Sequence, residues 1–191
     1  MGKYFALIIL SVAIIMGCNQ ESETTSPEEG FSEKPVNWIT LPSPSGMAVN
    51  SVSFTNSERI SGSEGGHVML VSEYDGGPHG IVKIDSKLEI KQRSFSGTLE
   101  ISITCFPEEG LVQFGPSYVF DKNLEYTLVY EGIDLSGVDP NNVEFCYIAA
   151  DGSLVEAENL GIDVDVEAGK IKVDKAFIPH FSRYGFVNRR L

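Results

Sequence analysis

The chain has 191 residues, with 14 Lys and Arg against 27 Asp and Glu, a formal net charge of −13. That balance argues against nucleic acid, which demands a basic face, and against direct adhesion to anionic lipid. Acidity serves solubility, and the length suits one domain with a proper core.

The first stretch in chain order is Lys3 followed by Tyr4 to Met16, apolar apart from Ser11, with no charge between Lys3 and Glu21. It is shorter than the ~20 apolar residues of a membrane-spanning helix and fits the apolar region of an export signal. Small Gly17 stands directly before Cys18. Ile15 stands where a simple signal usually has a second small residue. Ile15-Met16-Gly17-Cys18 resembles the lipobox of bacterial lipoproteins. The resemblance implies removal of residues 1–17, diacylglycerol on the Cys18 thiol and a membrane contact made through the acyl anchor. Asn19 stands where an Asp would resemble an inner-membrane retention signal, so outer-membrane sorting is expected in a Gram-negative envelope.

Residues 18–45 read as a lipidated Cys followed by a disordered acidic tether. Gln20 to Gly30 has no apolar residue, and Pro35, Pro42 and Pro44 keep the chain extended. Taut, two dozen such residues reach ~80 Å. Trp38 and Ile39 interrupt the polarity; they either dock on the domain or begin its first strand.

Residues 46–191 read as short apolar runs split by turns. His67 to Val71 follows the turn Glu64-Gly65-Gly66, and Asp75-Gly76-Gly77-Pro78 ends it. Gly80 to Asp85 and Leu88 to Ile90 are the next runs. Leu99, Ile101, Ile103 and Cys105 alternate with polar residues, as do Leu124, Tyr126, Leu128 and Tyr130. Val143 to Ala149 is a buried-strand run, Asp151-Gly152 a hairpin turn and Leu154 to Ala157 its return. Ile162 to Glu167 and Ile171 to Asp174 alternate strictly around Ala168-Gly169. Phe177 to Val187 closes the chain. Nothing beyond the signal keeps a 3.6-residue period, so the predicted fold is all-β, an antiparallel sandwich after a signal helix and tether.

Several residues invite chemistry. Once Cys18 is lipidated, Cys105 and Cys146 remain, and they either bridge two sheets or stand as separate buried small residues. His67, His79 and His180 are scattered, and no Cys-x-x-Cys spacing occurs, so no metal is expected. Asp163, Asp165 and Glu167 fall on one strand face and read as solvated rather than as a calcium site. Trp38 and the seven Tyr leave a carbohydrate-binding sandwich open, though they serve equally as core.

Gly65-Gly66, Lys87 to Thr98, Val112-Gln113-Phe114-Gly115-Pro116-Ser117, Phe120 to Leu124 and His180 to Tyr184 together resemble the ZU-five domain of zonula-occludens proteins, ankyrins and netrin receptors. The resemblance covers roughly residues 60–187. Lys91-Gln92-Arg93 stands in place of that family's Pro-Gly-Ala, Tyr118 in place of its second turn Gly and Asn123 in place of its strand Pro. It implies a β-sandwich for protein–protein contact without a cofactor, here with a protein partner in the envelope. His180-Phe181-Ser182 also resembles the cut site of autoproteolytic ZU-five-UPA domains, which implies His180 as base and Ser182 as nucleophile. A match of three residues leaves an uncut, non-enzymatic domain as the expectation.

Overall fold

The computed structural model describes residues 36–46 and 52–189. The signal, Cys18 and most of the expected tether lie outside the described residues. The described chain is an antiparallel β-sandwich of two sheets, as the alternation predicts.

One sheet contains β1 (Phe54–Ser61), β4 (Thr98–Phe106), β5 (Leu111–Gly115), β11 (Arg183–Asn188), β7 (Val143–Ile148) and β8 (Leu154–Glu156), in the order β1-β4-β5-β11-β7-β8. The second contains β2 (Gly66–Gly77), β3 (Gly80–Ile90), β6 (Val119–Glu131), β10 (Lys170–His180) and β9 (Gly161–Asp165), in the order β2-β3-β6-β10-β9. Period-two side chains face each other between the sheets. Ile101, Ile103, Phe114, Phe145, Tyr184 and Phe186 meet Val82, Ile84, Leu88, Leu124, Tyr126, Leu128 and Tyr130, all buried. An aromatic ladder runs through this layer: Phe114 packs edge-on against Tyr126 at 4.8 Å, and Phe120 edge-on against Phe181 at 4.7 Å.

Three elements differ from expectation. β1, polar over most of its length, forms an edge strand against β4, so only Ile60 of its side chains is buried. β3 is continuous through Ser86, where two runs were expected. Ser86 faces the core and its hydroxyl donates to the Leu70 carbonyl at 3.4 Å, which satisfies the buried polar group inside the strand. The closing segment is two strands: β10 ends at His180 in one sheet, Phe181 and Ser182 cross over, and β11 begins at Arg183 in the other.

The expected domain boundary at residue 46 also shifts. Residues 37–45 lie as a strap across one end of the sandwich. Asn188 N–H donates to Asn37 O at 3.0 Å, Ile39 N–H to Phe186 O at 2.9 Å, Leu41 N–H to Pro107 O at 2.8 Å and Ser45 N–H to Asp75 O at 2.7 Å. Ile39 and Leu41 are buried. The prolines remove donors but leave these alternate N–H groups free to pair, and the two aliphatic side chains bury apolar surface. Of the two placements open for Trp38 and Ile39, the structure has docking: Trp38 forms a single bridge with Val187.

Candidate functional site

Phe181 of the His-Phe-Ser stretch is buried against Phe114 and Phe120. Ser182 Oγ donates to Ile148 O at 2.8 Å, while the His180 ring sits edge-on to Tyr147 at 4.9 Å. Among the described residues only Arg93 and Lys175 combine a side chain with positive φ, so the crossover holds no left-handed backbone of the kind that strains a scissile bond. The hydroxyl is aimed at a carbonyl acceptor on β7. The geometry therefore supplies His180 and Ser182 as packing and hydrogen-bonding groups of the crossover.

Of the two placements open for Cys105 and Cys146, the structure has separate buried thiols in one sheet, not a bridge between sheets. Both thiols are free and buried. Cys105 lies on β4 and Cys146 on β7, with β5 and β11 between them. Three strand spacings of ~4.8 Å separate them, beyond the ~7 Å Cα limit for a disulfide. They also face opposite ways. Cys105 Sγ lies in the core, 3.5 Å from Tyr130 Oη, whereas Cys146 Sγ points out of the sheet, 3.6 Å from Glu144 Oε2. Burial pushes the Cys105 thiol up to about 11 and the Cys146 thiol up to about 12.

His67 is the second residue of β2, His79 lies in the β2–β3 turn and His180 ends β10, so the structure does not bring them together. Asp163 and Asp165 are exposed on β9. Among the described residues no group of three or more His, Cys, Asp or Glu is arranged to hold a metal ion.

The structure does assemble a group that no local motif marks. Leu124 and Tyr126 of β6 face the core, so Asn123 and Glu125 face outward on the second sheet. Glu125 pairs across the ladder with Glu89 of β3 and with Phe177 of β10. Its side chain is only 11% exposed, yet it carries two ion pairs: one with Lys91, and one with Lys175 at 3.1 Å. Those ammonium groups, Lys91 first, hold the Glu125 carboxyl below the ordinary Glu value. Lys175 is raised in turn, chiefly by its hydrogen bond to Glu125.

Local backbone places each partner. β10 contains a bulge, since Val173 pairs with Leu128 while Ala176 pairs with Tyr126, leaving one extra residue. Lys175 occupies it at φ 47, which returns Ala176 to the core and turns Lys175 toward Glu125. Lys91 begins the loop after β3. There Arg93, at φ 62, donates its N–H to Gly62 O at 2.7 Å, and Ser94 Oγ donates to Lys91 O at 2.7 Å. Gly62 has no room for a side chain: a Cβ would meet Phe95 O at 2.0 Å. Lys122 Nζ donates to Gln92 O at 3.0 Å and ties the start of β6 to the same loop. Both left-handed non-glycine residues among those described thus hold lysines of one cluster, where backbone strain often marks function.

Lys91, Lys122, Asn123, Glu158 and Phe177 line a shallow depression of about 340 Å³ beside this carboxylate. A groove of about 390 Å³ lies further along the same face, but its Lys83 and Lys170 are matched by Glu73 and Glu131, with Asp85 in excess and no aromatic residue. The depression combines ammonium donors, an amide and an aromatic side chain, which suits ligand binding. No protein-family model matches the chain, and no curated protein or solved structure matches it either.

Proposed function

We propose that this chain is a lipid-anchored, non-catalytic binding module of a bacterial cell envelope, held by Cys18 and recognising its partner with the depression around Phe177. The observation that carries this reading is the opposition of two ends. The described chain enters the sandwich at Asn37, beside Asn188. The depression lies toward the other end, where β3 passes into the Lys91 loop and β6 begins. Residue 36 thus joins the described chain at the end away from the depression. The chain from Cys18 to Val36 adds reach of up to ~60 Å when extended. Lys91, held by the Glu125 carboxylate, supplies a fixed, polar docking point, and rigid sites bind with less ordering cost.

Two experiments test the parts separately. Metabolic labelling with an alkyne fatty acid should mark the wild type and leave Cys18→Ala unmarked; label on Cys18→Ala would remove the anchor. A photo-crosslinking amino acid at Asn123, in the full chain in its own cells, should capture an envelope component that the same probe at Asn141 does not. Capture from Asn141 alone, or from neither position, would contradict recognition through the depression.

A further inference from the structure

We infer that the depression binds a carboxylate-bearing sugar, an acidic residue of an envelope polysaccharide. This rests on the binding-module reading above. The first support is charge. The lining carries Lys91 and Lys122 against Glu158, one excess positive charge in a chain of net charge −13. The excess favours an anionic group at this one spot.

The second support is unused hydrogen-bonding capacity. A lysine ammonium has three donors. Lys91 and Lys175 each pair with Glu125, and Lys122 donates to the Gln92 carbonyl. Lys91 and Lys122, which line the depression, retain N–H groups for an incoming carboxylate, and Glu125 fixes Lys91 in place. Asn123 offers an amide donor and acceptor, and Glu158 an acceptor, for ring hydroxyls.

Third, the floor selects among acidic ligands. Phe177 is half-buried and lines the depression. An aromatic face beside polar groups matches a sugar ring, which has an apolar C–H face and a polar edge. A peptide is a poorer fit. Beneath the depression β6 and β10 pair with each other, and the Phe177 and Asp121 N–H groups donate to Glu158 O at 2.7 Å and Ser94 O at 2.9 Å, so these donors are not open to an added strand. The volume sits at the low end of small-ligand sites, about 300 Å³.

The experiment is calorimetric titration of the full chain with tri-galacturonate, a neutral galactose trisaccharide and tri-glutamate. Tri-galacturonate should bind, at least about tenfold more tightly than either comparator, as loss of a charge-assisted contact implies. Lys122→Ala should weaken it about tenfold, Phe177→Ala should abolish it and Arg189→Ala, at the other end, should leave it unchanged. Asn123→Ala, an exposed position, keeps the test valid if Phe177→Ala fails to fold, and should also weaken binding. Equal affinity for the neutral sugar, preference for tri-glutamate, or no binding of tri-galacturonate at millimolar concentration would overturn the sugar assignment. A cross-link from Asn123 that persists after such a failure leaves the binding module standing with a different ligand; loss of that cross-link removes the module reading itself.

Discussion

Gly185→Ala is expected to overpack the contact between the strap and β11. Gly185 sits in β11 beneath two fixed groups: a Cβ there would meet Gly110 O at 2.5 Å and the Trp38 ring at 2.9 Å and 3.0 Å. An ordinary carbon–oxygen contact is about 3.3 Å, so the Gly110 carbonyl must retreat by roughly 0.8 Å. Gly110 cannot do so freely. It holds φ 67, and a Cβ on it would meet Ile39 O at 2.4 Å, so the strap already lies flat against it. Overpacking of this kind costs about 1–3 kcal/mol. Release of the strap instead exposes Ile39 and Leu41, worth up to about 1.5–3 kcal/mol each. The chain adopts the cheaper outcome, so about 2 kcal/mol is expected, or roughly 4–8 °C in Tm for a domain of this size. Trp38 is the single Trp, so its fluorescence reports the strap alone. The variant should show a changed native Trp38 emission and a lower urea midpoint. Ile39→Ala, which weakens the strap without a clash, should lower the midpoint as well. Wild-type emission and midpoint in Gly185→Ala would refute the packing argument.

Other outcomes follow from buried groups. Without reductant, Cys105 and Cys146 should resist iodoacetamide at neutral pH while folded and both react in denaturant; a linked peptide pair would contradict their placement on opposite faces. Denaturing mass spectrometry should find no fragment beginning at Ser182. Ser182→Ala should cost about 1 kcal/mol by removing the bond to Ile148, and a released ten-residue C-terminal peptide would reverse the assignment of the crossover. Glu125 has a folded pKa below its unfolded value, so its contribution is complete above about 4.3 and fades as pH falls through the folded value. Glu125→Gln should therefore lower stability by on the order of 1 kcal/mol at pH 7, since both lysines are about half exposed. The gap to wild type should narrow below pH 4, and a gap that widens on acidification would show that Glu125 is not held as an anion.

The sandwich was legible where one face is buried. Strict alternation in β4, β6 and the β9–β10 hairpin comes directly from burying every second side chain. β1 was not legible because an edge strand buries little, and Ser86 looked like a break because its hydroxyl finds a partner only in the folded sheet. The strap hid within a proline-rich stretch, with Trp38, Ile39 and Leu41 as its only apolar signal. Lys91, Lys175 and the β6 residues Lys122 and Glu125 come from three separate segments, and strand register, the β10 bulge and the loop after β3 bring them together. One trace did exist. Ile171 and Val173 keep one phase, Ala176 and Ile178 the other, and that slip is the bulge that turns Lys175 toward Glu125.

The most direct measurement is an amide NMR map of the full chain titrated with tri-galacturonate. Recognition through the depression requires the largest shifts at Lys91, Lys122, Asn123, Glu158 and Phe177, with the strap and residues 134–142 unmoved. Shifts centred on the strap end, or spread evenly over the outer face of the second sheet, would contradict it.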